Sequence, residues 1–191
     1  TPAKAYYQNQ EIWVKVEEKF SRAAKGGVGY AKASGNYAAQ FYPTKIARDE
    51  GYQQVIWTDS NKHNLIEEAG TMNLFFRINN TLITSPTSDS ILDGITRKSI
   101  IEIAKNMGVD VEERPISVNE LVDSHKTGDL KEIFGTGTAV TILPINGFGF
   151  RDNKYKLENI PSSYSNLLKK TLHEIQFGET SNFSDWQFKV N

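Results

Sequence analysis

The sequence predicts a mixed fold of the α/β or α+β class, from three observations. Residues Ile12 to Val16 alternate apolar and polar side chains at the two-residue period of a strand. Residues Ile95 to Met107 set Ile100, Ile103, Ala104 and Met107 on one face at the helical period, and Gly108 follows as a stop. Between them, MNLFFRI and TLITS flank Asn79-Asn80, a pair suited to a tight hairpin. Strand and helix signals interleave, and their order alone leaves both classes open.

The opening stretch, residues 1–13, contains a proline, lacks a helix signal and reads as a linker entering a domain. The chain does not begin with methionine, as expected for a piece of a longer protein or a processed start. After the first strand comes a Gly-rich segment, and then residues 36–50 read as a helix ended by Gly51, with Pro43 expected to kink or divide it. Residues 53–60, QQVIWTDS, read as a strand, followed by the hairpin and the helix over 95–107. VDVEERPIS reads as a strand, after which Ser117 and Glu120 form a capping box for a helix to about Lys126. KEIFGTGTAVTILPI reads as one strand interrupted by glycines and resumed through Val140, Ile142 and Pro144. Leu168, Leu172 and Ile175 mark a last helix over 162–177 with Gly178 as its stop, and the tail FSDWQFKV suits an edge strand.

A chain of 191 residues can bury one sizeable core. Its net charge of −1 gives no electrostatic argument for nucleic acid or an anionic membrane as partner. The absence of cysteine excludes disulfide and thiolate chemistry and suits a cytoplasmic protein. His63, His125 and His173 are scattered without metal-ligand spacing, so no metal site is expected. No apolar run approaches a membrane span, and no signal peptide is visible.

Three places have residues of the right type for chemistry. GGVGYAKASGNY, residues 26–37, sets Lys32 among small residues. In a close-packed, partly desolvated turn a lysine loses some preference for its charged form and becomes a nucleophile able to form a Schiff base with an aldehyde. The same glycines also read as an ordinary surface turn with a solvated lysine. If Lys32 lies at a strand end and Tyr37 begins the next helix, both face one pocket. The second place is EEAGTMNLF, residues 67–75, where a carboxylate ahead of a Gly-Thr turn can be drawn inward to meet a cationic ring nitrogen; the two glutamates read equally well as a surface pair ahead of a strand, and at least one of them is expected to be solvated. The third is a pair of turns, LDGITR and FGTGTA. Gly94-Ile95-Thr96 opens a helix whose free amides suit a phosphate. Gly135-Thr136-Gly137-Thr138 offers close-approach backbone and two hydroxyls.

Taken together, GGVGYAKASGNYAA, EEAGTMNLFF, SILDGITRKSIIEIAK and LKEIFGTGTA resemble branched-chain amino acid aminotransferases, which are class IV, fold-type IV enzymes using pyridoxal 5'-phosphate. The likeness runs from about Lys4 to Trp186. Glu68, Asn73, Leu74, Phe75, Leu82, Thr84, Leu92, Gly94, Ile95 and Arg97 fit the wider class IV signature, shared with D-amino acid aminotransferases and aminodeoxychorismate lyases. The resemblance implies an α/β pseudo-barrel, the large domain of such an enzyme, over residues 14–191. Residues 1–13 then resemble the end of a small domain and its linker.

The resemblance also implies roles. Lys32 matches the lysine that holds the cofactor and moves a proton to or from the substrate α-carbon. Glu68 matches the glutamate facing the pyridine nitrogen, and Tyr37 the tyrosine on the ring's phenolic oxygen. Gly94, Ile95, Thr96 and Thr138 match the phosphate cup. Leu92 and Thr71 match neighbours of the ring, and the backbone amides of Thr138 and Ala139 match donors to the substrate carboxylate. Two positions depart from the family pattern: Asp93, a carboxylate beside the phosphate unless it points to solvent, and Val140, larger than usual there. The family's small N-terminal domain, which supplies an arginine to the phosphate and aromatic groups to the substrate pocket, is absent from this sequence. The implied activity is transamination of Leu, Ile or Val with 2-oxoglutarate by a homodimer or larger assembly. A class IV enzyme with another substrate, or a non-catalytic fragment of the same fold, is the alternative.

Overall fold

The computed structural model describes residues 11–188. Its strands are β1 (Trp13–Val16), β2 (Gln54–Thr58), β3 (Ile66–Ala69), β4 (Asn73–Ile78), β5 (Thr81–Thr84), β6 (Asp110–Glu113), β7 (Leu130–Gly137), β8 (Thr141–Ile145), β9 (Gly147–Phe150) and β10 (Asn153–Lys156). Its helices are α1 (Ser34–Ala38), α2 (Phe41–Asp49), α3 (Ile95–Asn106), α4 (Val118–Lys126) and α5 (Tyr164–Gln176). The strands form two mixed five-stranded sheets, in the orders β10-β9-β1-β2-β3 and β6-β5-β4-β7-β8.

Strand alternation explains how the layers stack. On β2, Ile56 points to a core between the two sheets, where it meets Val14, Val16, Ile66 and Ala69. Its neighbours Val55 and Trp57 point the other way, onto Ala47 of α2, Tyr52 and Trp13. On β4, Leu74 and Phe76 face the central core, while Phe75 turns outward to α3 and α5 and stacks on Phe134 at 5.2 Å. Strands buried on both faces read as unbroken apolar runs, as QVIWT and NLFF do. Each large side chain buried this way contributes roughly 1.5–3 kcal/mol. Val118, Leu121 and Val122 of α4 complete the central core. The chain passes from the first sheet to the second between β3 and β4, where Ala69 and Met72 are bridged. That seam carries the candidate site.

Several expectations are corrected. The helix over 36–50 is two helices, divided at Ala39-Gln40 and not by Pro43. Pro43 sits in the first turn of α2, where its missing N–H has no intrahelical partner to lose. Ser117 does accept the Glu120 N–H, but the Glu120 carboxylate leaves the box open and pairs with Arg114 at 2.7 Å. Residues 131–145 form a hairpin, β7 and β8, turning at 138–140 rather than a single interrupted strand. Gly135 and Gly137 both stay in the β7–β8 register, and at Gly135 Met72 occupies the space a side chain would need. Strands β9 and β10 were not foreseen. Gly147 and Gly149 hide the alternation there, and their bareness admits the rings of Trp13 and Tyr52. In the tail, Ser184–Trp186 forms a short 3-10 turn and residues 187–188 are not strand, while 189–191 lie outside the described residues. Of the expected linker 1–13, residues 1–10 also lie outside them; Ile12 is buried in the central core and Trp13 opens β1.

Candidate active site

A cavity of about 260 Å³ opens at the seam between the sheets. Its walls include Lys32, Tyr37, Glu68, Thr71, Leu92, Gly94, Ile95, Thr96 and Thr138, gathered from four separate stretches of sequence. Ala139 and Val140 are not among its walls.

Lys32 is not at a strand end. It sits in a turn well beyond β1, and Tyr37 is the fourth residue of α1, with the Lys32 ammonium 5.8 Å from its ring centroid. Nor is the lysine desolvated: its side chain is exposed, while the backbone around it is pinned. The Glu17 carboxylate accepts N–H groups of Glu18, Lys19 and Phe20 where the loop begins. Asn36 donates to the carbonyls of Val28 and Ala31 at 2.9 and 3.0 Å, bracketing the turn that carries Lys32. Gly29 is there because its Cα packs against Ala23 and the backbone of Asp89-Ser90, leaving no room for a Cβ. The hydrogen-bonded loop thus places an exposed amine at the wall of the cavity.

Glu68, at the end of β3, is 3% exposed. Its Oε1 is 2.7 Å from Arg22 Nε, and its Oε2 accepts the Leu92 N–H at 3.1 Å and a longer contact from Asn73 Nδ2 at 3.4 Å. Burial pushes the Glu68 carboxyl up to about 7, although Arg22 and the Leu92 N–H pull it down. Asn73 also donates to the Leu92 carbonyl at 2.8 Å, tying β4 to the loop before α3. The expectation that Glu67 is solvated is wrong. All of β3 is buried, because it is covered on both faces at the seam, and Glu67 is 9% exposed. Burial raises its carboxyl too, while Ser90 Oγ donates to it.

Arg22 is the residue that sequence reasoning missed. It is 5% exposed and also donates to the carbonyls of Gly29 and Ser90, so it joins the lysine loop, the loop before α3 and Glu68. Its one local signal is a charged side chain within SRAAKGG; its partners are remote in sequence.

At the other end of the cavity, Gly94 is the N-cap of α3, and no side chain caps that helix. The amides of Ile95 and Thr96 therefore lack intrahelical partners and face an open cavity. Gly94 is required by close approach, since a Cβ would fall on Asn73 Oδ1. Asp93 also borders the cavity, and its exposed ion pair with Lys98 offsets the charge it would present to an anion. Arg97 is structural: it is 2% exposed and donates to the Ser85 carbonyl and to Glu113. Thr138 stands at the hairpin turn, exposed beside Ile95 and Thr96. Among the described residues no group of three or more His, Asp or Glu could hold a metal.

An ammonium, a phenol and an ionisable carboxylate thus share one cavity with an uncapped helix start. That set suits a ring bearing an aldehyde, a basic nitrogen and an anionic group. Comparisons with known proteins agree. The family model described as amino-transferase class IV matches residues 2–148. A probable branched-chain-amino-acid aminotransferase of Staphylococcus aureus strain N315 is 45% identical over 162 residues, 83% of this chain and 45% of the relative. The crystal structure of the branched-chain amino acid aminotransferase of Escherichia coli superposes with a TM-score of 0.83 at 30% identity, over 100% of this chain and 60% of that one. That of the branched-chain aminotransferase of Thermoproteus uzoniensis with norvaline gives 0.81 at 27% identity, over 97% and 58%. The chain spans about half the length of the curated relatives it matches. On the family match and the fold, this chain belongs to the class IV aminotransferases.

Proposed function

We propose that the protein to which this chain belongs is a pyridoxal-phosphate-dependent branched-chain aminotransferase, and that residues 14–191 are its large domain. The observation that carries this is the single cavity containing Lys32, Tyr37, Glu68 and the uncapped start of α3. These residues fit the cofactor, which when bound supplies an aldehyde carbon and a ring able to take up electrons from the substrate α-carbon. The amides of Ile95 and Thr96 and the Thr138 hydroxyl hold the phosphate, with the α3 dipole favouring the anion. Glu68, ionised, keeps the ring nitrogen protonated. The Tyr37 hydroxyl donates to the phenolic oxygen, while Leu92 and Thr71 border the ring. Lys32 would hold the aldehyde carbon and, freed by the incoming substrate amine, would take a proton from the α-carbon as general base and deliver it to that former aldehyde carbon as general acid. The backbone amides of Thr138 and Ala139 orient the substrate carboxylate. In sum an amino group passes from Leu, Ile or Val to 2-oxoglutarate, giving a branched 2-oxo acid and glutamate.

The remaining parts of the site, an arginine for the phosphate and the side-chain pocket, belong on this reading to a small N-terminal domain. A homodimer in the cytoplasm is part of the same proposal, to be checked by light scattering and fractionation; among the described residues no helix is long and apolar enough to cross a membrane. The decisive experiment is borohydride reduction of the full-length protein with pyridoxal phosphate, followed by peptide mass mapping. Label on Lys32 supports the proposal, and label on any other lysine overturns it. A panel of L- and D-amino donors then tests the substrate, and a Lys32→Ala variant that still transaminates leucine at the parent rate would refute the role of the lysine.

A further inference from the structure

We propose that the Thr136 hydroxyl donates a hydrogen bond to the phosphate group bound at the first turn of α3, a contact that rests on the cofactor reading above. Thr136 is 1% exposed, lines the cavity, and its Oγ1 has no hydrogen-bond partner among the described residues. A buried hydroxyl without a protein partner is costly, and a native fold retains one where a ligand, an ion or a water supplies the missing group.

Strand register fixes which way this hydroxyl looks. Thr136 pairs directly with Asn73 on β4 and with Ile142 on β8. Directly paired residues share a face of the sheet. Ile142 lies in the cluster that the second sheet makes with α3 and α5, as do Phe75 and Phe134, each two residues from Asn73 and Thr136. Thr136 therefore stands on the face over which α3 lies. Gly94, Ile95 and Thr96 line the same cavity at the start of that helix, where two amides lack partners. The opposite face at this end of β7 is closed: a Cβ on Gly135 would meet Met72. An anion held by the α3 amides is the acceptor on Thr136's own face. The neighbouring hydroxyl, Thr138, is exposed and at the turn, so the two hydroxyls reach the anion from different depths.

The test compares pyridoxal phosphate with pyridoxal, binding each to the ligand-free full-length protein by absorbance titration, in wild type, Thr136→Val and Thr136→Ser. Valine keeps the shape and removes only the hydroxyl. The expected result is a loss of pyridoxal phosphate affinity in T136V of roughly 10- to 100-fold, as for hydrogen bonds to charged groups. Pyridoxal affinity stays unchanged, and T136S recovers most of the loss. The thermal midpoint of ligand-free T136V should equal or exceed that of wild type, because an unsatisfied buried group has gone. Unchanged pyridoxal phosphate affinity, an equal loss for both ligands, or a lowered midpoint of ligand-free T136V would each overturn the contact. A wild-type protein that takes up no pyridoxal phosphate removes the cofactor reading itself, and is told apart because it needs no variant.

Discussion

Replacing Glu68 with glutamine isolates the cost of keeping a carboxylate at the seam. Burial lifts the Glu68 carboxyl from the ordinary 4.5 to about 7. A raised acid binds its proton more tightly in the folded state than in the unfolded one, so stability falls as pH rises between those two values and is level above the higher. The gap of about 2.5 units corresponds to roughly 3 kcal/mol. About three quarters of it falls between pH 5 and pH 8. Glutamine has no proton to lose, so its stability relative to wild type should climb with pH by that amount. Any constant offset, from turning one oxygen acceptor towards Leu92 into a donor, leaves the slope untouched. The assay is urea denaturation of ligand-free wild type and Glu68→Gln at pH 5, 6, 7 and 8. Parallel curves would refute the reasoning, and would mean that Arg22 holds the carboxylate ionised throughout.

Other perturbations bear on the same framework. Arg22→Met should cost up to about 3 kcal/mol at pH 8, where Glu68 must either remain an unpaired buried charge or take up a proton, and less at pH 5, where it is already protonated. Equal costs in urea at both pH values would contradict that. Burial would push the Glu132 carboxyl up, but the N–H groups of Tyr164 and Ser165 and the hydroxyls of Ser163 and Ser165 outweigh it and hold it below the usual range. It also pairs with Arg77 at 3.1 Å. Its contribution is thus present at neutral pH and lost as pH falls below about 4.5. Glu132→Gln should cost about 3 kcal/mol at pH 7 and progressively less in acid, read by thermal melts. Gly29→Ala places a Cβ 2.6 Å from Ser90 Cα and 2.7 Å from the Asp89 carbonyl, so the lysine loop must move. A loss of about 2 kcal/mol is expected, together with slower reductive labelling of Lys32; a variant unchanged in both would show that the loop is not held there.

Local chemistry made much of the fold legible. The apolar runs of β2 and β4, the periodicity of α3 and α5, and the glycines after α2, α3 and α5 each report on their own few residues. Gly51, Gly108 and Gly178 take positive φ, as helix stops do. What stayed illegible was long-range. Strand β9 hides behind two glycines that exist to admit Trp13 and Tyr52, rings far away in the chain. Hairpin β7–β8 looked like one strand because Gly135 and Gly137 resemble a break until Met72 is known to pack there. Glu67 looked like a surface neighbour of Glu68, since nothing within β3 says that both of its faces are covered.

For the site, the sequence by itself determined the reactive inventory: a lysine, a tyrosine and a glutamate, with small-residue turns at the start of α3 and the end of β7. Tertiary structure alone decided what holds that inventory. It brought Arg22 to Glu68, set Asn73 between Glu68 and the loop before α3, left Lys32 open to the cavity, and turned Thr136 inwards without a partner. The physical reason is one of range. Reactive groups and turn residues are written in adjacent positions. Burial and charge pairing arise only when two sheets meet, and they raise the Glu68 carboxyl and leave the Thr136 hydroxyl without a partner among the described residues.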